Sequence, residues 1–147
     1  MAPGYPTALL SISQGRKLQM ISEKSEVPDS LRFWFVVHFA LDIVFAVPLL
    51  LVPEFLMPLL GWHTVDPIAS RLVGAALMGI GGESLLGRNE SVEVYRAMLN
   101  LKIIWASSAV VGIGLGLIAG GAVVGWVFLG IFAGFLGLWV YYRLRLR

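Results

Sequence analysis

His38 and Asp42 stand four residues apart in an otherwise apolar run, so a helix would carry the imidazole and the carboxylate on one face. Such a pair can exchange a proton, hold a hydrogen-bonding ligand, or lock two helices together. Glu83, Asn100, Lys102 and Arg71 are the other notable polar residues set in long apolar stretches. In lipid an ionisable group costs ~2.5–3.5 kcal/mol at mid-span, so each of these needs a partner or a use. A rise of ~1.5 Å per residue from Phe33 puts His38 about 7 Å and Asp42 about 13 Å inside the boundary where that helix enters. Glu83 and Lys102 fall at a depth similar to His38, with Asp42 beyond them. We therefore group His38, Asp42, Glu83, Asn100 and Lys102 as a candidate intramembrane polar cluster. Arg71 lies about one turn from the opposite boundary and reads as a structural residue that can snorkel to the surface.

Two readings stay open for each pair. Glu83 with Lys102 is an interhelical ion pair or part of a binding pocket; His38 with Asp42 is a hydrogen bond that serves the fold or the polar end of such a pocket. Glu83 shares a stripe with Ala75, Ala76 and Gly79, small residues that let another helix approach, so we expect it to face the bundle. Asn100, Ile104, Ser107, Val111 and Gly114 form a second expected interhelical face.

Several chemistries are excluded or unsupported. There is no cysteine, hence no disulfide and no thiolate ligand or nucleophile. His38 and His63 are expected on opposite sides of the membrane and make no zinc site. Gly112-Ile-Gly114-Leu-Gly116 is no nucleotide loop, because no strand precedes it and no polar helix follows. A net charge of +2 gives no reason to expect nucleic acid as a partner. We expect neither cofactor nor metal, and no recognisable catalytic set argues for an enzyme.

The elements that must position these residues are membrane helices. Hydrophobic residues make up 58% and charged residues 14% of the 147-residue chain, with mean hydropathy +0.83; a soluble domain carries roughly 25% charge. Four apolar runs are long enough to cross a ~30 Å hydrocarbon slab, at about 33–52, 67–86, 98–117 and 123–142. Backbone amides in lipid must be satisfied internally, and these runs lack the alternation of barrel strands, so the expectation is all-α, an integral membrane four-helix bundle. Residues 1–30 read as a polar tail with a surface turn near Leu18–Ile21, and residues 31–147 as the bundle. Ala8–Ile12 is too short for a signal-peptide core. Pro48 should kink the first span, Phe55–Trp62 should lie at the interface, and Asp66-Pro67 should open the second span as N-cap and first-turn proline.

Orientation follows from the basic residues. Arg16, Lys17, Lys24 and Arg32 precede the first span, Arg88 and Arg96 lie between the second and third, and Arg143, Arg145 and Arg147 follow the fourth. The other two connections have no Lys or Arg, so both termini are expected in the cytoplasm of a multi-pass cell-membrane protein. The spacings Gly116–Gly120, Gly121–Gly125 and Gly130–Gly134 favour close helix contact, mainly within the chain but also between protomers of a homo-oligomer. Membrane lipids are the other expected partner.

The proline-containing segment Pro53–Gly61 after the first span, and the second span opening Arg71-Leu-Val-Gly-Ala-Ala-Leu-Met-Gly-Ile-Gly, resemble the DoxX-like group of small four-helix membrane proteins over residues 33–118. The resemblance implies the four-helix fold and no catalytic residue. Three functional readings follow from the residues: an accessory or structural membrane subunit, a pocket that binds or transforms a small apolar molecule such as a lipid or quinone, and a proton or ion path through Asp42 in an oligomer. The cysteine-free chain offers a direct test of the topology. Ser25→Cys and Arg147→Cys should be labelled from one side of sealed vesicles by an impermeant maleimide, and Thr64→Cys only from the other.

Overall fold

A computed structural model describes residues 27–146, all of it helix and connecting turns. The expected tail, with its turn near Leu18–Ile21, lies outside the described residues except for its last few positions, as does Arg147. The helices are α1 (Asp29–Leu51), α2 (Pro53–Leu59), α3 (Pro67–Leu86), α4 (Val92–Ile118) and α5 (Gly125–Arg145), with a 3₁₀ turn at Gly87–Asn89 before α4.

Three helices, α1, α4 and α5, are long and apolar enough to cross a membrane, with mean hydropathies of 2.2, 1.9 and 1.6. The sequence reading takes four spans; α3 is the one that falls short of the others. It has 20 residues, and Arg71, Glu83 and its many glycines dilute its apolar character. The outer surface of the helices is apolar nonetheless: Ile68 is 81% exposed, Leu86 80% and Ile118 85%. A soluble monomer rarely shows such a continuous apolar exterior.

Local chemistry accounts for the helix ends. The Asp66 side chain accepts from the backbone N–H of Ile68 (2.9 Å) and Ala69 (3.1 Å), with Pro67 at the first position, where its missing N–H costs nothing. At the end of α2, Gly61 takes φ +88°, its N–H reaches Pro58 O and the Trp62 N–H reaches Met57 O. The end of α4 repeats this: Gly120 at φ +86°, with Gly120 N–H to Leu117 O and Gly121 N–H to Gly116 O. Both are glycine-closed C-caps that satisfy orphan carbonyls and turn the chain back. The segment read as a proline-broken interfacial stretch is thus a seven-residue helix with Pro53 at its start. α1 runs on through Pro48, three residues before its end.

Arg71 braces this end of the bundle. Its Nε donates to Leu50 O (3.2 Å), a last-turn carbonyl without an intrahelical partner. Its Nη2 donates to both carboxylate oxygens of Glu54 (3.1 and 3.3 Å). The Glu54 carboxyl is held below its ordinary 4.5, first by its own backbone N–H and, after an opposing desolvation effect, by Arg71. A lowered carboxylate adds stability above its ordinary value and loses it as the pH falls through the folded one. Both side chains are about half exposed, so the brace is a minor contribution.

The bundle is two helix pairs, α1 on α3 and α4 on α5. The seam of the first pair is built on Gly74 and Gly81. A Cβ at Gly74 would stand 3.0 Å from Leu49 Cβ, and one at Gly81 only 2.6 Å from Asp42 Cβ. The buried stripe of α3 is Ser70, Gly74, Leu77, Gly81 and Ser84, not the Ala75–Ala76–Gly79–Glu83 stripe expected from sequence; Ala75, Gly79 and Glu83 are exposed. Likewise the buried stripe of α4 is Tyr95, Met98, Leu99, Lys102 and Ala106, while Asn100, Ile104 and Val111 face out. The expectation that the late glycines pack mainly within the chain fails for most of them: Gly112, Gly114, Gly116, Gly130, Gly134 and Gly137 have no atom within 4 Å of where a Cβ would stand. The pairs join at the end where α1 begins and α5 finishes, through a core that includes Leu31, Phe35, Tyr95, Leu99, Trp139 and Tyr142.

These contacts separate two kinds of glycine. Gly81→Ala should lower stability by about 1–3 kcal/mol through overpacking against Asp42, read as a fall in detergent melting temperature, whereas Gly130→Ala should leave it unchanged or slightly raised.

Candidate functional site

Each of the four long helices contributes to a buried polar layer through its inward stripe. α1 supplies Phe35, His38 and Asp42, spaced three and four apart; α3 supplies Gly81 and Ser84; α4 supplies Lys102; α5 supplies Trp139. Lys102 is 2% exposed and Ser84 0%. The Lys102 Nζ donates to Ser84 Oγ (2.6 Å) and stands 3.3 Å from His38 Nδ1. Ser84 passes its own proton to Ile80 O (2.8 Å), which leaves its oxygen free to accept from the lysine. The ammonium also lies 4.9 Å from the centre of the Phe35 ring and 5.4 Å from that of Trp139, an aromatic cradle of the kind that favours a desolvated cation.

Asp42 supplies the compensating negative charge. Its Oδ2 stands 2.9 Å from His38 Nδ1. That is ion-pairing range without the alignment of a hydrogen bond, so Oδ2 remains a buried acceptor with no hydrogen-bond partner among the described residues. Gly81 makes the position possible, because any larger residue there would collide with the Asp42 side chain. The His38 ring is held edge-on by Phe135 (5.0 Å) and Trp139 (5.3 Å). His38 Nδ1 thus faces both the Lys102 ammonium and the Asp42 carboxylate, and which of the two it bonds depends on which ring nitrogen carries the proton.

His38, Asp42 and Lys102 therefore meet, and two of the candidate residues do not join them. Glu83 is exposed on the outer side of α3, and Ser84, its neighbour, occupies the inward position beside Lys102. Asn100 is exposed and accepts from Arg143 Nε (2.7 Å), fastening α4 to the end of α5. Arg71 sits apart, at the opposite end of α3. Sequence reading passed over Ser84, Gly81 and Trp139. The seven-residue spacing of Gly74 and Gly81, continued to Ser84, was the available signal; Trp139 had none, being one aromatic among many in α5.

The layer floors a cavity of about 400 Å³ between the two helix pairs. Along α1 it extends from His38 to Leu49, about 16 Å of helix. Leu56, Met57, Leu60 and Trp62, from α2 and the turn after it, roof it, and Trp105, Phe128 and Phe132 line the far side. The fully buried core that joins the pairs ends at Trp139; beyond it Phe45 meets Phe128 (5.4 Å) and Trp105 packs against the cluster of Ala46, Leu49 and Leu77. His38, Asp42 and Trp139 border the cavity; Lys102 lies behind them, shielded from it. Among the described residues no three His, Asp or Glu side chains converge as metal ligands.

The charge balance can be tested. Lys102→Met leaves Asp42 buried without a counter-charge and should cost about 3–5 kcal/mol, read by denaturant titration in mixed micelles. Adding Asp42→Asn should restore more than half of the loss.

Compared with protein-family models, curated proteins and solved structures, the chain matches none of them.

Proposed function

We propose that the chain is a multi-pass cell-membrane protein of four crossings, both termini cytoplasmic, that holds a small apolar molecule of lipid or quinone type in the cavity between its helix pairs. The observation that carries this reading is the cavity itself: about 400 Å³, apolar along its length, with His38 and Asp42 at one end. Small-molecule sites have this make-up, a mostly apolar lining with a few convergent polar groups. A fourth crossing by α3 is supported by its extensive packing along α1 and by its 20-residue length. It is also supported by the placement of its two charges near its ends, Arg71 satisfied by Leu50 O and Glu54, Glu83 near the headgroups. The likeness to DoxX-like proteins belongs to this proposal as a statement about architecture only.

The sequence by itself favours an accessory or structural subunit. The cavity shifts the balance, since helices that served only each other would leave no space of this size between them. A proton path finds less support. Beyond Asp42 the cavity runs past Phe45, Leu49, Leu56 and Met57, and the hydroxyl of Ser70 there is spent on Asp66 O (2.8 Å).

Trp62, Trp105 and Trp139 border the cavity and report its occupancy. A dibrominated alkyl amphiphile added to protein in unbrominated detergent should quench tryptophan fluorescence saturably. Ala69→Phe, which places a ring in the cavity wall, should weaken that binding at least several-fold. Quenching that rises without saturation and is the same in the variant would reject the pocket.

A further inference from the structure

The stripe by which α4 meets α3 stops partway along the helix. Met98 lies against Gly87, just past α3, where a Cβ would stand 2.6 Å from the methionine sulfur. Two turns on, Trp105 packs against the small core of Ala46, Leu49 and Leu77. Two turns further on the same face comes Gly112, then Gly116, and among the described residues neither has an atom within 4 Å of where a Cβ would stand. The facing flank of α3 matches. Ala69 and Val73 border the cavity and are exposed. Val73 and Gly112 lie equally far along their antiparallel helices from the Met98–Gly87 contact, as do Ala69 and Gly116. On the α1–α5 side, rings bridge the pairs instead, Phe45 with Phe128 (5.4 Å) and His38 with Phe135 (5.0 Å). The cavity thus has one side closed by aromatic side chains and one side, between α3 and α4, where small residues leave a gap.

We propose that this gap is a lateral window through which one hydrocarbon chain of a bilayer lipid enters the cavity, from the leaflet on the side of α2, while its headgroup stays outside. This inference rests on the pocket reading above and specifies its ligand. The surface that the cavity presents is almost wholly carbon. The polar residues on its border withhold what they have: Asp42 Oδ2 and Trp139 Nε1 are buried, His38 and Asp42 are only 6% and 8% exposed, and the Ser70 hydroxyl is spent on Asp66 O. A headgroup drawn inside would shed its water and find too few partners. A methylene chain exchanges one apolar surrounding for another and meets no such penalty. The cavity therefore selects for the chain and against anything polar attached to the part that enters.

Two measurements with the brominated amphiphile test this. The first is competition by oleyl alcohol, oleoyl lysophosphatidylcholine and oleoyl lysophosphatidylglycerol, which share one chain and carry neutral, zwitterionic and anionic heads. All three should displace it at concentrations within roughly threefold of one another, because only the chain is held. The second fills the window without touching the cavity lining. Gly112→Phe should weaken saturable quenching by roughly tenfold, whereas Gly130→Phe, a ring added at an equally free glycine of α5, should match the wild type. Melting temperature checks the folding of both; should Gly112→Phe not fold, Gly116→Phe obstructs the same gap. A preference of more than about tenfold for one head overturns the chain assignment and leaves the pocket standing. Wild-type binding in a folded Gly112→Phe or Gly116→Phe variant overturns the window. Failure of every competitor, together with unsaturable quenching, rejects the pocket itself.

Discussion

The structure depends on placing one ammonium group, that of Lys102, in a helix interior that has no water to solvate it. Neither lipid nor an apolar core accepts a charge alone. The sequence meets this demand from the other three long helices. Ser84 takes a hydrogen bond from Nζ and His38 Nδ1 stands 3.3 Å from it, Phe35 and Trp139 turn their ring faces to it, and Asp42 adds the opposite charge beside His38. No single pair of helices could provide this set, so the cluster ties the α1–α3 pair to the α4–α5 pair more specifically than apolar contact can.

That requirement explains the glycine seam. Asp42 must lie between α1 and α3 without being crushed, and Gly81 leaves the space. Gly74 draws the same pair together further along, where Ala46, Leu49 and Leu77 make a second small core. Once α1 and α3 are held this closely and α4 and α5 are held to each other, the gap between the pairs is filled by fully buried large side chains where Phe35, Tyr95 and Trp139 meet. Past that point it opens into the cavity under α2. The polar layer and the apolar chamber are thus two results of one packing arrangement.

Much of the fold was legible in the sequence because lipid imposes simple rules. Helix positions followed from apolar length, and the α3 start from Asp66-Pro67. The meeting of His38 and Asp42 with Lys102 followed from depth counting. Depth counting fixes a residue's height but not its rotation about the helix axis, which is why Glu83 and Asn100 were grouped with Lys102 although they point elsewhere. In a soluble helix a polar face would have set the rotation; α3 and α4 carry too few polar residues in their membrane parts to mark one, so their small-residue stripes gave competing phases. Gly79 and Gly81 lie on different sides of α3, and only the fit of Asp42 against one of them distinguishes the two. The cavity was illegible for a related reason: a void follows from the divergence of helix pairs, and no residue type marks it.

The burial of Lys102 is the claim from which the rest follows, and lysine acylation measured by mass spectrometry tests it most directly. In folded protein in detergent, Lys102 should react at least tenfold more slowly with an amine-specific reagent than in the same chain unfolded in SDS. Equal rates in the two states would mean that the ammonium is open to solvent, and the polar layer described here would not exist.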